Sequence, residues 1–298
     1  MQSVKSVKVT TLADNIVYDS RLLGQFGFSA LLEIRDNKGK KHMVMFDTGS
    51  QKSAQLYNIK ALKLDLAPLE SIVLSHGHYD HTSATVEIIK KAKNKIKVFA
   101  HPNAFYPKFK VKKGKRQYHG IPKGEGKTDI EKAGAQIVDT THPTEIISGV
   151  VASGGIRRTT PYEKFTWKPI TIVDGKPVRD KLIDDQALFI NIAKKGVLVI
   201  CGCAHAGLIK TLQYALEVTK TNKLYGFIGG THLIQPKETR LKETIKKLKE
   251  FDMQLISPAH CTGYKSIAAI NQAFPNKFVL NYAGRVIDTA KKLKNPVF

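Results

Sequence analysis

The chain has 298 residues, 42% of them apolar, which is enough to bury a substantial core and excludes an intrinsically disordered polypeptide. Its 48 lysines and arginines against 25 acidic residues leave a formal charge of +23, a field that attracts anionic partners. No window approaches the roughly 18 consecutive apolar residues of a membrane span, and three cysteines are too few, and odd in number, for a disulfide framework. The alternating N-terminus lacks the apolar stretch of a signal peptide, so a reducing cytoplasm and no membrane partner are expected.

In chain order, residues 4–12, 28–35 and 42–46 read as strands, with Gly24 and Asn37-Lys38-Gly39 as turns. Residues 71–75 form a short apolar run that leads into His76-Gly77-His78-Tyr79-Asp80-His81. Helical spacing follows over 82–93, with Val86, Ile89 and Ala92 on one face, and a strand over 96–100 ends at His101, outside every cluster of ligand-type residues. The stretch 103–183, rich in glycine and proline, reads as an irregular lid whose densest basic patch is 108–116. Arg157 and Arg158 in that stretch are candidates for gripping a phosphorylated substrate, because guanidinium groups hold phosphate through paired donors. An ion pair between Arg157 and Glu163 is the alternative. Residues 188–193 and 197–200 form a hairpin around Lys194-Lys195-Gly196, and 208–218 and 237–251 are amphipathic helices. Strand-rich halves each followed by helices imply an α/β protein with two sheets packed face to face and helices outside. The expected organisation is a single domain over 1–298 with the lid at about 103–183.

Three imidazoles and a carboxylate within six residues at a strand end point to a metal. A zinc-type ion is held by neutral imidazole nitrogens and carboxylate oxygens, and a catalytic site keeps a position open for water. His76 and His78 can face one ion while Asp80 and His81 face a second. The alternative, a polar loop capped by Asp80, does not require three neighbouring histidines. Cys201, Cys203 and Cys261 all sit beside such runs; small thiols at a crowded strand end read first as packing and second as ligands.

The pattern His-x-His-x-Asp-His after an apolar strand resembles the signature of the metallo-β-lactamase-fold metallohydrolases. Val44-Met45-Phe46-Asp47-Thr48-Gly49-Ser50 resembles the family's first motif. Cys201-Gly202-Cys203-Ala204-His205-Ala206-Gly207 and Ser257-Pro258-Ala259-His260-Cys261 resemble later ones. The resemblance implies an αββα four-layer sandwich with metals at one edge of the sheets. It implies His76, His78 and His205 on a first ion, Asp80, His81 and His260 on a second, and Asp47 bracing the metal loop. One departure stands out. The family's fourth motif carries an aspartate between the two ions, whereas no Asp occurs between Asp185 and Asp252, and His232 in Gly229-Gly230-Thr231-His232-Leu233 is the strong ligand type there. His232 is therefore a candidate metal ligand or general acid. Within the family, Ser153-Gly154-Gly155-Ile156-Arg157-Arg158, Asp184-Asp185-Gln186-Ala187-Leu188 and His260-Cys261-Thr262-Gly263 resemble the dihydropterin-ribofuranosylaminobenzene-phosphate synthase group. That group is credited with joining a pterin methyl diphosphate to a phosphorylated aryl ribofuranoside.

The expected function is a metal-dependent hydrolase acting on an anionic, phosphorylated small molecule. Its cofactor would be one or two zinc ions, with iron or manganese as alternatives, and the nucleophile a metal-bound hydroxide formed near neutral pH. A synthase-type transfer and a nucleic-acid phosphodiesterase are the alternatives. The charge of +23 speaks for nucleic acid, and the absence of an ordered basic stripe against it. The sequence carries no signal for an oligomeric state.

Overall fold

The computed structural model describes residues 1–112, 114–164 and 167–292. Two mixed sheets form its centre. The first holds seven strands in the order Val286–Asp288, Ser6–Ala13, Ser29–Arg35, Lys41–Phe46, Ser71–Val73, Lys97–Ala100 and Gln136–Asp139. Pairing is antiparallel as far as Lys41–Phe46 and parallel beyond it. The second holds six, in the order Leu255–Ala259, Leu224–Gly230, Gly196–Cys201, Ala187–Ile192, Val150–Ala152 and Thr144–Ile147. There the first three run parallel and the remainder antiparallel.

Strand alternation assigns the layers. Along Ser29–Arg35, Ala30, Leu32 and Ile34 point into the core between the sheets, while Leu31 points out under helices. In the second sheet Leu188, Ile190, Leu198 and Ile200 meet that central core, and Phe189, Val197 and Val199 face the opposite way. Outer helices cover both faces. Ile59 of Lys52–Ala61, Ile88 of Thr85–Lys91 and Ile130 of Lys127–Lys132 close the first. Leu212 of Leu208–Thr219, Leu248 of Glu238–Glu250 and Ile270 of Tyr264–Ala273 close the second. The result is an αββα sandwich, in which each buried Leu or Ile contributes about 2 kcal/mol of apolar transfer. No helix among the described residues is long and apolar enough to cross a membrane.

Two expectations need correction. The helix expected over 82–93 is broken into Tyr79–Thr82 and Thr85–Lys91. At the break, the Ser83 and Ala84 N–H groups donate to Gly49 O and Thr48 Oγ1 of the neighbouring strand-end loop instead of continuing the helix. The stretch 103–183 is irregular only in part. Gln136–Asp139 extends the first sheet, while Thr144–Ile147 and Val150–Ala152 extend the second. Lys108–Lys112, Lys115–Tyr118, Pro169–Val173 and Lys176–Arg179 build a separate four-stranded antiparallel sheet. Lys115–Tyr118 and Lys176–Arg179 were hidden because their side chains are all exposed and rich in lysine and arginine, without apolar alternation. A turn signal was present: Asp174-Gly175 closes a two-residue hairpin with both φ positive, 50° and 73°. Lys113 of the basic patch lies outside the described residues.

The small sheet is tied to the sandwich by a buried cation. Lys108 Nζ donates to Asp180 Oδ2 and Asp184 Oδ1, each at 3.0 Å. Removing one member of a buried ion cluster strands the rest. Lys108→Met is expected to cost about 3 kcal/mol, read as a lower urea midpoint with unchanged slope.

Candidate metal centre

Parallel pairing sets the position of the site. Lys41–Phe46 and Ser71–Val73 run together in one sheet, as do Gly196–Cys201, Leu224–Gly230 and Leu255–Ala259 in the other. The residues just past their C-terminal ends are Asp47, the 76–81 loop, the 203–205 loop, His232 and His260, and they meet at one edge. At this edge four non-glycine residues hold left-handed backbone: Asp47 (φ 56°), Ala204 (50°), His232 (50°) and His260 (47°). Each costs of order 1 kcal/mol, and such strain gathers where side chains must be aimed for chemistry.

Three imidazoles converge first. His76 Nε2 stands 2.9 Å from His78 Nδ1 and 3.3 Å from His205 Nε2, all three buried. The tautomer of His76 follows from its neighbours. Ser75 Oγ donates to Asp47 Oδ2 (2.7 Å), so it accepts from His76 Nδ1–H (2.9 Å) and leaves the Nε2 lone pair open. Burial, and then the charge of neighbouring imidazoles, holds all three groups well below the ordinary histidine pKa. They are thus kept in the neutral form that ligates metal.

A second set lies beside it. Asp80 Oδ2 is 3.3 Å from His260 Nε2 and 3.7 Å from His81 Nε2. His81 Nδ1 donates to Asp47 Oδ2 (2.7 Å) and His260 Nδ1 to Asn15 Oδ1 (3.0 Å), which turns both Nε2 atoms toward Asp80. Burial opposes charge on Asp80, yet His81 and His260 hold its carboxyl well below the usual range. Burial likewise opposes a proton on His81, but Asp80 and Asp47 bring its pKa up to about 9. Asp80 Oδ1 is buried with no hydrogen-bond partner. A buried carboxylate oxygen without a donor fits a cation site, because such an atom is costly otherwise. Within each set the donor atoms lie within 4.8 Å of one another, so both sets could hold an ion.

Other polar groups brace the loops. Asp184 Oδ2 accepts from Gly77 N–H (2.9 Å) and Asp185 Oδ2 from Ala206 N–H (2.7 Å). Burial raises the pKa of Asp185 to about 7. Arg158 Nε and Nη2 donate to the His205 carbonyl at 3.1 and 2.6 Å, so this side chain holds the third imidazole's loop. Arg157 is exposed and lines a separate basic groove of about 480 Å³ with Arg158, Arg179 and Lys181. Glu163 accepts from Ile209 and Lys210 N–H at the start of helix Leu208–Thr219. Gly202 permits a close approach: a Cβ there would stand 2.0 Å from Ser75 Oγ.

Members of both sets, His78 and His205 of the first and Asp80 and His260 of the second, line a cleft of about 670 Å³ that is walled by Phe26, Lys110, His119, Trp167, His232 and Arg240. Lys110 and His119 come from the small sheet and the loop after it, which therefore cover the metal edge. His119 packs 4.7 Å from the His78 ring. A lone histidine in a basic run carries no pattern that would mark it in the sequence. His232 belongs to neither donor set. Its ring stands 4.6 Å from His205 and stacks over Trp167 at 6.4 Å, and burial, then Arg240, brings its pKa down to about 4.

A sequence model of the metallo-beta-lactamase superfamily matches residues 24–167. The 7,8-dihydropterin-6-methyl-4-(beta-D-ribofuranosyl)-aminobenzene-5'-phosphate synthase of Methanocaldococcus jannaschii is 32% identical over 289 residues, 95% of this chain and 97% of that protein. An uncharacterized protein of the same organism is 32% identical over 279 residues, 94% of this chain and 99% of its own. The chain belongs to the metallo-β-lactamase superfamily. Its fold is shared with the crystal structure of Tm1679, a metal-dependent hydrolase of the β-lactamase superfamily. The TM-score is 0.75 at 24% identity, over 94% of this chain and 98% of that one. The superfamily is metal-dependent, and in this member the donor sets at the strand ends are where ions could be held.

Proposed function

We propose that this metallo-β-lactamase superfamily member is a hydrolase that cleaves an ester or phosphoester bond of an anionic, phosphorylated small molecule. The observation that supports it is the meeting of two donor sets at the floor of a cleft with cationic and aromatic walls. His76, His78 and His205 would hold one ion; Asp80, His81 and His260 would hold a second. An imidazole-rich set suits zinc, with iron or manganese as alternatives. Bound there, such ions supply Lewis acidity and an activated water near neutral pH. The chain's own side chains position the substrate. Arg240 is 7% exposed, reaches the cleft and has no hydrogen-bond partner at Nε, so it is ready to grip an anionic oxygen. Lys110 adds positive charge on the covering side, and Trp167 and Phe26 add aromatic surface that suits a planar ring. His232, held neutral, can hydrogen-bond a departing oxygen. Arg240→Ala is expected to lower kcat/KM about 10- to 100-fold, the worth of one hydrogen bond to a charged group, in steady-state assays with the metal-loaded enzyme.

A second reading, transfer to an organic acceptor, draws on the 32% identity to the M. jannaschii synthase across nearly the whole chain. One experiment separates the two. The metal-loaded protein is given a pterin methyl diphosphate alone, and then with a phosphorylated aminobenzene riboside. Diphosphate released without the acceptor supports hydrolysis. Release only with the acceptor, accompanied by a joined product, supports transfer. No turnover of this substrate or of a panel of phosphoesters, with metal bound, would sink the hydrolase reading.

A further inference from the structure

The donor sets leave a charge unanswered. Two divalent ions would bring four positive charges into a buried site, and Asp80 is the one carboxylate among the donor groups of the described residues. Uncompensated buried charge is costly, so a second anionic ligand is called for. A sulfur beside both sets is able to become one. Cys203 Sγ lies 3.2 Å from His81 Nε2, and it groups within 4.8 Å both with His76 and His81 and with His260 and Cys261. It therefore stands where the two sets adjoin. We propose that Cys203 is a thiolate ligand of the ion that Asp80, His81 and His260 would hold, an inference that rests on the metal-dependent reading above.

Of the other two thiols, Cys261 also lies beside Cys203 and His260 but is held by backbone groups, and Cys201 lies in the core. Cys261 Sγ accepts the His232 N–H (3.2 Å) and turns toward the Cys203 carbonyl (3.7 Å). Cys201 points into the core under the outer helices, with Val199 and Phe227. The strand-end geometry explains why Cys203 differs from Cys201. Gly202 lets the chain pass against Ser75 and Asp47, and Ala204, in left-handed conformation, turns the next residues into the site. A coordinated thiol is deprotonated outright by a dipositive ion. Thiolate beside imidazole also selects zinc-type and softer ions over magnesium.

Cobalt(II) reads the ligand directly, because thiolate-to-cobalt charge transfer absorbs in the near ultraviolet and imidazole or carboxylate ligation alone does not produce that band. Full-length protein is stripped of metal and titrated with cobalt(II). Wild type is expected to show the band, and Cys203→Ser to lose it, with the second equivalent bound at least about tenfold more weakly. The chain has three cysteines, so the double variant Cys201→Ala with Cys261→Ser leaves Cys203 as the sole thiol and is expected to keep the band. Cobalt bound without the band in wild type would overturn the assignment. So would a band that survives Cys203→Ser or vanishes in the double variant. If Cys203→Ser fails to fold, the wild-type and double-variant spectra decide by themselves. Failure of wild type to bind cobalt at all would instead defeat the metal-dependent reading, which keeps the two failures distinct.

Discussion

His76→Ala is expected to abolish binding of the first ion and to lower kcat/KM by about a thousandfold, roughly 4 kcal/mol of transition-state stabilisation. The argument is geometric. His76 Nε2 is the central atom of its set, within 3.3 Å of both His78 Nδ1 and His205 Nε2, so its loss leaves two imidazoles that no longer surround a common point. Folding should suffer little by comparison. The three neutral imidazoles crowd one another, and outside that cluster the side-chain hydrogen bond given up is the one from His76 Nδ1–H to Ser75 Oγ. Metal per chain by atomic emission, measured beside turnover, checks the pairing of these effects. Unchanged metal content with unchanged turnover would show that the ion sits elsewhere.

Asp47→Ala is expected to do the reverse and strike the fold as hard as the site. The Asp47 carboxylate accepts from Ser75 N (2.6 Å), Ser75 Oγ (2.7 Å) and His81 Nδ1 (2.7 Å), and it is fully buried. Removing it orphans three buried donors at about 1–3 kcal/mol each, a loss near 4 kcal/mol if the loop relaxes in part. The tautomers of His76 and His81 also lose the partner that fixes them. Loss of such support to ligating imidazoles weakens metal binding about 10- to 100-fold. Thermal melting of the metal-free protein isolates the first effect, and a competition titration with a chelator measures the second. A variant that melts like wild type yet binds metal weakly would confine Asp47 to tuning the ligands. The opposite result would make it a purely structural brace.

These two residues also mark how far the sequence could be read. The cluster from His76 to His81 is local: six consecutive residues carry the ligand types, and an apolar run before them marks the strand end. His205 and His260 each follow such a run as well, and the structure places them beside that cluster. Asp47, placed in support of the loop by resemblance alone, lies under it with Ser75 and His81. Arg158, a phosphate-grip candidate by sequence, has its guanidinium on the His205 carbonyl. His232, by its type either a ligand or an acid, stands outside both donor sets with its ring against His205 and Trp167. Neither placement could be read from composition, since an arginine beside a motif looks the same whether it faces substrate or backbone.

What the sequence by itself determined is the part written in short-range periodicity. Apolar runs specified the strands at 4–12, 28–35, 42–46, 96–100, 188–193 and 197–200, helical spacing specified the covering helices at 208–218 and 237–251, and the position of each ligand type after a run placed it at a strand end. The tertiary structure alone decided which of those ends meet, and which distant groups complete the site. Asn15 aims His260 across 245 positions, Asp184 holds the Gly77 backbone across 107, and Cys203 reaches His81 across 122. The small sheet that carries Lys110 over the metal edge is anchored through Lys108 to carboxylates at least 72 positions away. Such contacts are fixed by parallel strand pairing and by the packing of one sheet on the other. Those are long-range choices that no local pattern of residues encodes.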